Sequence, residues 1–260
     1  MFSYVHRYHA GGFADVHKHL ILIALLQALH QKPTPFGVLD LYAGEGQYDL
    51  LSEESQKNAE YKQGIGLLLD LPQPPLLLQT LLQMMNGMQY PGSPKIIADF
   101  LRTQDHAIAI EHHPQAITML RNHLGHHPRM TIHDRDALEA LRALVPFKQK
   151  RGLVFIDPSY EVKTEYTQIA EAVIKTAQHF SHGIYAIWYP ILPAKNHLQL
   201  LRKIKNAKLN TWQCEWFPSQ ERKEGILGSG MIIINLPWKT DEIIINAFSR
   251  LPGNFYCQFL

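Results

Sequence analysis

Short apolar runs alternate with longer amphipathic segments along most of the chain. The clearest runs are residues 37–41, 107–111, 153–157 and 184–188, and the first three have an acidic residue at or next to their end. Runs that are apolar on both faces are typical of strands in a sheet covered by helices on both sides. Their alternation with helical segments indicates parallel strands, so the sequence predicts an α/β fold.

The pattern changes near residues 211–217 and 231–235. These two strand-like runs are separated only by a polar loop that contains glycine. The connection is too short for a crossover helix, so the two strands should be antiparallel. A mostly parallel, seven-stranded sheet with one antiparallel strand is typical of the Rossmann-like methyltransferase fold.

Residues 50–92 interrupt the alternation. This segment contains Leu, Gln and Met, a proline-rich patch at 71–75 and no clear strand. We expect one Rossmann-like domain over residues 1–260, with residues 50–92 as a helical insert subdomain. Such a long connection often has a function, and two interpretations stay open: contact with the substrate, or a packed helical addition.

The composition restricts the class of protein only broadly. The chain has 260 residues, of which 46% are hydrophobic, and its 25 basic residues nearly balance 23 acidic ones. This balance neither requires nor excludes a nucleic-acid partner. The apolar run at 20–26 is too short to span a membrane. Cys214 and Cys257 are far apart in the sequence, which argues against a disulfide framework and a structural zinc site. We expect a soluble, cytoplasmic protein.

A glycine-containing loop follows the first predicted strand. It reads Asp40-Leu41-Tyr42-Ala43-Gly44-Glu45-Gly46. Gly44 and Gly46 allow a tight turn and close approach to a ligand. The third glycine of the dinucleotide fingerprint is absent, since Asp49 stands in its place. An acidic residue at the position of Asp40 is typical of proteins that bind S-adenosylmethionine, although a tight turn without a ligand would also fit the pattern.

Two further acidic residues follow predicted strands. Glu111 ends the second strand of the core, where a carboxylate can accept hydrogen bonds from both ribose hydroxyls of a nucleotide. Asp136, after the strand at 130–132, is placed to meet an adenine amino group. Asp134 is an alternative for that role, and either residue could simply be a surface acid in a turn.

The fourth core strand leads into Asp157-Pro158-Ser159-Tyr160. This is close to the Asp/Asn-Pro-Pro-Tyr/Phe/Trp signature of enzymes that methylate an amino nitrogen of a base. The Asp157 carboxylate and the Pro158 carbonyl can accept hydrogen bonds from an exocyclic amine, and Asp157 can take its proton. Tyr160 can stack on the base. Ser159 replaces the usual second proline, which frees the backbone there. A turn that only closes a strand is the other interpretation.

The N-terminal segment is dense in histidine, tyrosine and basic residues. His6, His9, His17 and His19 fall within fourteen residues, but no carboxylate or cysteine pattern accompanies them, so we expect no metal site. A nucleic-acid surface fits better, because aromatic rings stack on bases while Arg7 and Lys18 can meet phosphate or carboxylate.

Several motifs together resemble one family. They are Tyr-x-His-x-x-His-Ala-Gly-x-x-Ala-Asp-Val-x-Lys-His from Tyr4, the Asp-x-x-Ala-Gly-x-Gly loop, Tyr90-Pro91-Gly92-Ser93-Pro94, the Asp-Pro-x-Tyr motif, the 183–190 segment, Gly228-Ser229-Gly230-Met231 and Asn235-x-Pro237-Trp238. From Tyr4 to Trp238 the chain resembles the bacterial large-subunit (23S) rRNA adenine-N6 methyltransferases of the RlmJ type.

This resemblance implies S-adenosyl-L-methionine as the cofactor and protein-free 23S rRNA as the substrate. We also expect the enzyme to be a monomer. It implies cofactor contacts from Lys18, His19, Tyr42, Ser93 and Ala137, in addition to Asp40, Gly44, Gly46, Glu111, Asp136 and Asp157. Tyr42 stands where the family commonly has His, and Ala137 where it has Gly. The catalytic group would be Asp157 with Pro158 and Tyr160, and the RNA would meet Tyr4, His6 and Tyr160.

Three other functions remain possible from the sequence. A DNA adenine-N6 methyltransferase would use the same chemistry, but no DNA-recognition domain is evident. A non-catalytic RNA-binding protein would leave the carboxylates without a task. A NAD-dependent dehydrogenase disagrees with the incomplete glycine fingerprint. The loop at 219–230, with Arg222 and Lys223, is a candidate contact to phosphates.

Overall fold

The computed structural model describes residues 5–220 and 222–260. Its centre is a single eight-stranded sheet with helices on both faces. Strand-forming runs that are buried on both faces, such as the one ending at Asp40, lie in the middle of this sheet. The predicted α/β, Rossmann-like fold is confirmed.

The strands of the described residues are β1 (Gly37–Asp40), β2 (Gln47–Asp49), β3 (Gln89–Pro91), β4 (His106–Ile110), β5 (Met130–His133), β6 (Gly152–Ile156), β7 (Ile184–Ile191), β8 (Thr211–Phe217), β9 (Gly228–Ile234) and β10 (Asn254–Phe259). The large sheet has the order β10-β8-β9-β7-β6-β1-β4-β5. Strands β7, β6, β1, β4 and β5 are mutually parallel.

The expected antiparallel pair is present, but the sheet is larger than predicted. β9 lies between β7 and β8 and is antiparallel to both. β10 adds an eighth strand, antiparallel to β8. Relative to the five-strand parallel core, two strands are therefore reversed rather than one. The expectation of seven strands missed the alternating segment Asn-Phe-Tyr-Cys-Gln-Phe that forms β10.

The helices of the described residues are α1 (Phe13–His30), α2 (Glu53–Asn58), α3 (Leu76–Met84), α4 (Ser93–Phe100), α5 (Pro114–Leu124), α6 (Ala137–Leu144), α7 (Glu165–His179), α8 (His197–Asn206) and α9 (Thr240–Phe248). Helices α6, α7 and α8 pack side by side on one face of the sheet, as right-handed crossovers require. Helix α1 packs with α3, α4 and α9 on the other face.

Helix α1 is buried on nearly all sides. It follows Gly12, whose extended backbone (φ −61°, ψ 168°) starts the helix. Leu20 to Leu26 are at most 1% exposed. A helix that is apolar all round belongs inside a protein, and this position brings Asp15, Lys18 and His19 to the end of the sheet.

Residues 50–92 contain helices, with a strand that was not predicted. α2, two short 3-10 helices (Glu60–Gln63 and Ile65–Leu67) and α3 occupy most of the segment. β3 pairs antiparallel with β2, so a small ribbon joins the two ends of the segment. The expectation of no strand is wrong here, because β3 has only three residues. The division into a domain and an insert subdomain stays a prediction.

The fold brings the two cysteines together. Cys214 and Cys257 are direct neighbours on β8 and β10, with their sulfur atoms 2.7 Å apart, and both are free thiols. Burial of Cys214 raises the pKa of its thiol well above the ordinary value. Among residues 5–220 and 222–260, no helix has the length and apolar character needed to cross a membrane.

Candidate active site

A cavity of about 530 Å³ opens at the carboxyl ends of the parallel strands. Loops that directly follow β1, β4, β5, β6 and β7 line it, together with the first turns of α1. This is where open α/β sheets bind ligands. The predicted residues that line it are His6, Lys18, His19, Tyr42, Gly44, Ser93, Glu111, Asp136, Ala137, Asp157, Pro158 and Tyr160.

A buried lysine joins two carboxylates in the wall of this cavity. The Lys18 Nζ atom lies 2.6 Å from Asp15 Oδ1 and forms a second ion pair with Asp157 Oδ2. The side chains of Asp15 and Lys18 are at most 5% exposed. The other oxygen, Asp157 Oδ1, accepts no hydrogen bond from residues 5–220 or 222–260, so it remains available to a bound group.

Asp15 also organises the segment before α1. Its Oδ2 atom accepts a hydrogen bond from the Gly11 amide at 2.9 Å and lies 3.0 Å from His6 Nε2. The His6 ring in turn packs edge-on against Tyr48, with ring centroids 5.0 Å apart. Asp15 was not among the predicted site residues, although its i,i+3 spacing from Lys18 on a helix could have indicated the contact.

Burial and charge act in opposite directions on these groups. Burial raises the pKa of Asp157, and the Lys18 ammonium partly opposes this effect. The pKa of Asp15 lies well below its usual value, because His6 and Lys18 outweigh its burial. The pKa of Lys18 is raised, because the attraction of Asp15 and Asp157 outweighs its desolvation. The three groups are therefore held together by charge in a place that water hardly reaches.

The glycine loop and Glu111 are joined directly. The Gly44 amide donates to Glu111 Oε2 at 2.8 Å, and the amides of His112 and His113 donate to Oε1. Gly44 has φ +63°, and a Cβ there would lie 2.2 Å from the buried Tyr48 hydroxyl. This position requires glycine. The carboxylate of Glu111 is thus fixed beside the loop, and its role in binding ribose stays a prediction.

Asp40 and Gly46 do not line the cavity. Neither carboxylate oxygen of Asp40 has a hydrogen-bond partner of normal geometry among the described residues, although Ser93 and the Tyr42 backbone lie close enough to favour its ionised form. Burial raises the pKa of Asp40 to about 7. Gly46 (φ +83°) packs against Leu120 of α5 and accepts a hydrogen bond at its carbonyl from Gly92.

Asp136 lines the cavity and also has a structural task. Its Oδ1 atom accepts a hydrogen bond from the Glu139 amide at 2.8 Å, which makes it the N-cap of α6. The alternative residue, Asp134, pairs with His112 and does not line the cavity. Of the two candidates, only Asp136 therefore reaches the cavity.

Tyr160 is fixed in the cavity wall. Its hydroxyl donates to the Trp188 carbonyl at 2.7 Å, and its ring stacks on Tyr166 with centroids 4.1 Å apart. Its backbone lies in the left-handed region at φ +53°. One ring face is thus already covered within the protein. Trp188 also lines the cavity, and the centroid of its ring lies 5.4 Å from Lys18 Nζ. It was not among the site residues predicted from the sequence.

His19 and Ser93 enter the site from different elements. The His19 Nδ1 atom lies 2.8 Å from the Tyr90 hydroxyl, and burial lowers the pKa of His19 to about 3. This ring is therefore neutral in the folded protein. Ser93 is the first residue of α4, next to Gly92, whose amide bonds to the glycine loop. Among the described residues, no three His, Cys, Asp or Glu side chains are grouped as a metal site would require.

Two arginines that were predicted to contact RNA make hydrogen bonds within the protein instead. Arg7 donates to both oxygens of Glu45 in the glycine loop and to Glu54. Arg222 donates to Gln63 at 2.5 Å and lies over the Phe13 ring. Both side chains thus tie neighbouring segments to the cavity rim. Tyr4 lies outside the described residues.

The chain has close relatives among known proteins. Residues 33–251 match the family described as "RsmJ: Ribosomal RNA large subunit methyltransferase D, RlmJ". A ribosomal RNA large subunit methyltransferase J from Haemophilus influenzae is 35% identical, covering 92% of this chain and 88% of that protein. One from Escherichia coli K12 is 33% identical, covering 96% and 93%.

A solved structure shows the same fold over nearly the whole chain. The crystal structure of a Legionella pneumophila protein is 33% identical and superposes with a TM-score of 0.86, covering 96% of this chain and 98% of that one. Family match, identity and coverage agree. The chain belongs to the RlmJ family of ribosomal RNA large subunit methyltransferases.

Proposed function

We propose that this protein uses S-adenosylmethionine to methylate the exocyclic N6 of an adenine in protein-free 23S rRNA. One observation carries this proposal: the Asp157 carboxylate, at the head of the Asp-Pro-Ser-Tyr loop, lies in the cavity wall with one oxygen paired to Lys18 and the other unbonded among the described residues. Family membership supports an RNA substrate. Such a reaction belongs in the cytoplasm, and we expect the enzyme to act as a monomer.

The residues around the glycine loop fit this cofactor. Glu111 offers a carboxylate to ribose hydroxyls, Asp136 offers a second one to an adenine amino group, and Gly44 leaves room that any side chain would fill. When bound, S-adenosylmethionine supplies a methyl group on a positively charged sulfur. Lys18, His19, Tyr42, Ser93 and Ala137 would complete this binding site. Asp40 would act from behind the wall, next to Ser93 and the Tyr42 backbone.

Asp157 and Pro158 would orient the target amine. The lone pair of an exocyclic amine is delocalised into the base, which makes the nitrogen a weak nucleophile. Hydrogen bonds from its N–H groups to Asp157 Oδ1 and the Pro158 carbonyl favour a pyramidal nitrogen and direct the lone pair outward. Positioning of this kind supplies a large part of the rate.

Asp157 would also receive the proton that the methylated nitrogen sheds. Burial raises the pKa of this carboxyl, so it holds a proton more readily than an exposed aspartate does. Lys18 keeps the carboxylate in place through its ion pair. Tyr160, which lines the cavity, would contact the base, and His6 with Tyr4 would contact the RNA.

The experiment is a single substitution, Asp157→Ala. We expect methyl transfer to a protein-free 23S rRNA transcript to fall by at least about 1,000-fold, because both the amine acceptor and the proton acceptor are lost. Transfer is measured with radiolabelled cofactor, and mass spectrometry of digested RNA identifies N6-methyladenosine. The affinity for S-adenosylhomocysteine, measured by calorimetry, should stay within about threefold.

Asp99→Ala serves as the matched control. Asp99 is a partly exposed carboxylate on α4 that pairs with Lys95 and does not line the cavity, so this variant should keep full turnover. Undiminished methylation by Asp157→Ala would contradict the mechanism. Methylation of DNA with the same sequence at an equal rate would contradict the RNA specificity.

A further inference from the structure

A group of basic residues lies on helix α8 and directly beside its two ends. Residues 195–208 contain Lys195, Arg202, Lys203, Lys205 and Lys208, and no acidic residue stands anywhere between Glu171 and Glu215. Without these five, 20 basic residues remain against 23 acidic ones. The five side chains are called the α8 basic face below.

Helix α8 presents this charge to solvent. His197, Leu200 and Ile204 are buried on its inner side, while Lys195, Arg202, Lys205 and Lys208 are exposed. Arg202 and Lys205 are three residues apart and therefore neighbours on the same side of the helix. Ten helical residues extend over about 15 Å, which is long enough to follow several phosphates of a nucleic-acid strand.

Most of this charge is not neutralised within the protein. Lys203 pairs with Glu171 of α7 at 2.8 Å. The other four make no ion pair with any residue in the parts of the chain that the structure describes. Uncompensated like charges on one side of a helix repel one another, and a polyanion relieves this repulsion by releasing its own counterions.

The α8 basic face begins near the cavity, at Lys195, and extends from there along α8 toward the amino end of β8. Leu192, three residues before Lys195, lines the cavity, and the loop that follows β8 is hydrogen-bonded to the same segment through Leu227 and Ile191. Helix α7, which packs beside α8, contributes Gln168 and Ile169 to the cavity wall. A strand whose target base enters the cavity can therefore continue along α8.

We infer that the α8 basic face binds the phosphate backbone of the RNA next to the target adenine. This inference rests on the proposed function and adds a binding surface to it. Contacts of this kind position the RNA without reading its sequence. They make binding depend steeply on salt concentration, because each phosphate contact releases counterions.

The test replaces three exposed members of this face, in the variant Lys195→Gln/Arg202→Gln/Lys205→Gln. Its affinity for a protein-free 23S rRNA transcript is measured over a series of salt concentrations. We expect weaker binding and a plot of log affinity against log salt that is shallower by about 2, since each lost contact to an unpaired strand removes about 0.7. Affinity for S-adenosylhomocysteine should not change.

A charge-matched control uses Lys32→Gln/Lys148→Gln/Lys150→Gln. These lysines are exposed near the amino ends of β1 and β6, at the opposite edge of the sheet from the cavity. Equal slopes for wild type and the α8 variant, or equal losses in both triple variants, would overturn the inference. If the wild-type protein neither binds nor methylates the transcript, the proposed function is overturned as well. If the wild-type protein methylates normally but the α8 variant has an unchanged salt slope, only the inference is overturned.

Discussion

At the level of single residues, the site depends on a buried ion cluster around Lys18. Sequence motifs identified Lys18 and Asp157, because each belongs to a recognisable pattern. The motif that contains Lys18 also contains Asp15 but assigns it no role, because that role arises from three contacts made by one carboxylate: to Lys18, His6 and the Gly11 amide. These contacts form because the segment before α1 folds back over the helix. The order of residues in the sequence does not show that arrangement.

Asp15→Asn tests this cluster. The variant keeps the shape of the side chain but removes the charge that holds Lys18 and His6. We expect the free energy of unfolding to fall by about 3 kcal/mol, because a buried ion pair loses one partner. Turnover should fall roughly 100-fold as Lys18 and the N-terminal segment shift. Urea unfolding and single-turnover methylation measure the two effects.

Asp99→Asn is the matched control for this change. It removes a carboxylate from an i,i+4 pair with Lys95 on a helix surface, which should cost about 0.5 kcal/mol or less. Wild-type turnover in Asp15→Asn would show that its charge does not position the site.

At the level of elements, the loop after β1 was predicted well and the small strands were not. A buried strand followed by closely spaced glycines has a strong local signature, and Gly44 occupies the conformation that this signature implies. β3 and β10 gain their stability from pairing with β2 and β8, which are distant in the sequence. Local patterns contain little of that information.

Gly44→Ala measures what the loop requires. A Cβ at this position meets the Tyr48 hydroxyl at 2.2 Å in addition to the cost of a positive φ. We expect loss of detectable cofactor binding in calorimetry and destabilisation by more than about 1 kcal/mol, the cost of the backbone conformation alone.

Gly87→Ala separates the two causes. Gly87 has φ +60°, but no atom lies within 4 Å of the position of a Cβ, so only the backbone cost applies. This variant should lose about 1 kcal/mol and keep its cofactor affinity. Equal behaviour of the two variants would mean that the contact with Tyr48 is unimportant.

At the level of the whole molecule, buried titratable groups link stability to pH. Burial lowers the pKa of His17 and of His19 to about 3. In the unfolded chain these rings bind protons below about pH 6.5, whereas in the folded protein they stay neutral down to about pH 3. Each therefore lowers stability as the pH falls through this range. Asp40 has the opposite effect, because its pKa is raised in the folded protein. Its contribution to stability increases as the pH falls from about 7 to about 4.

His17→Phe isolates one of these contributions. The ring of His17 packs against Trp216 and Phe248, so phenylalanine preserves most of the packing. Between about pH 4.5 and 6, the slope of the unfolding free energy against pH should be smaller than in wild type by about 1.4 kcal/mol per pH unit. Urea unfolding at several pH values gives both slopes, and identical slopes would mean that His17 is charged in the folded state.

Tyr160 reaches its final arrangement when the chain folds. Its hydroxyl is already bonded to the Trp188 carbonyl and its ring already rests on Tyr166. In the proposed reaction the aromatic surface that meets the base is ready before the RNA arrives. The conformational freedom lost during recognition is then mainly that of the nucleotide, so an adenine already unpaired in a flexible loop should be modified faster than one held in a helix.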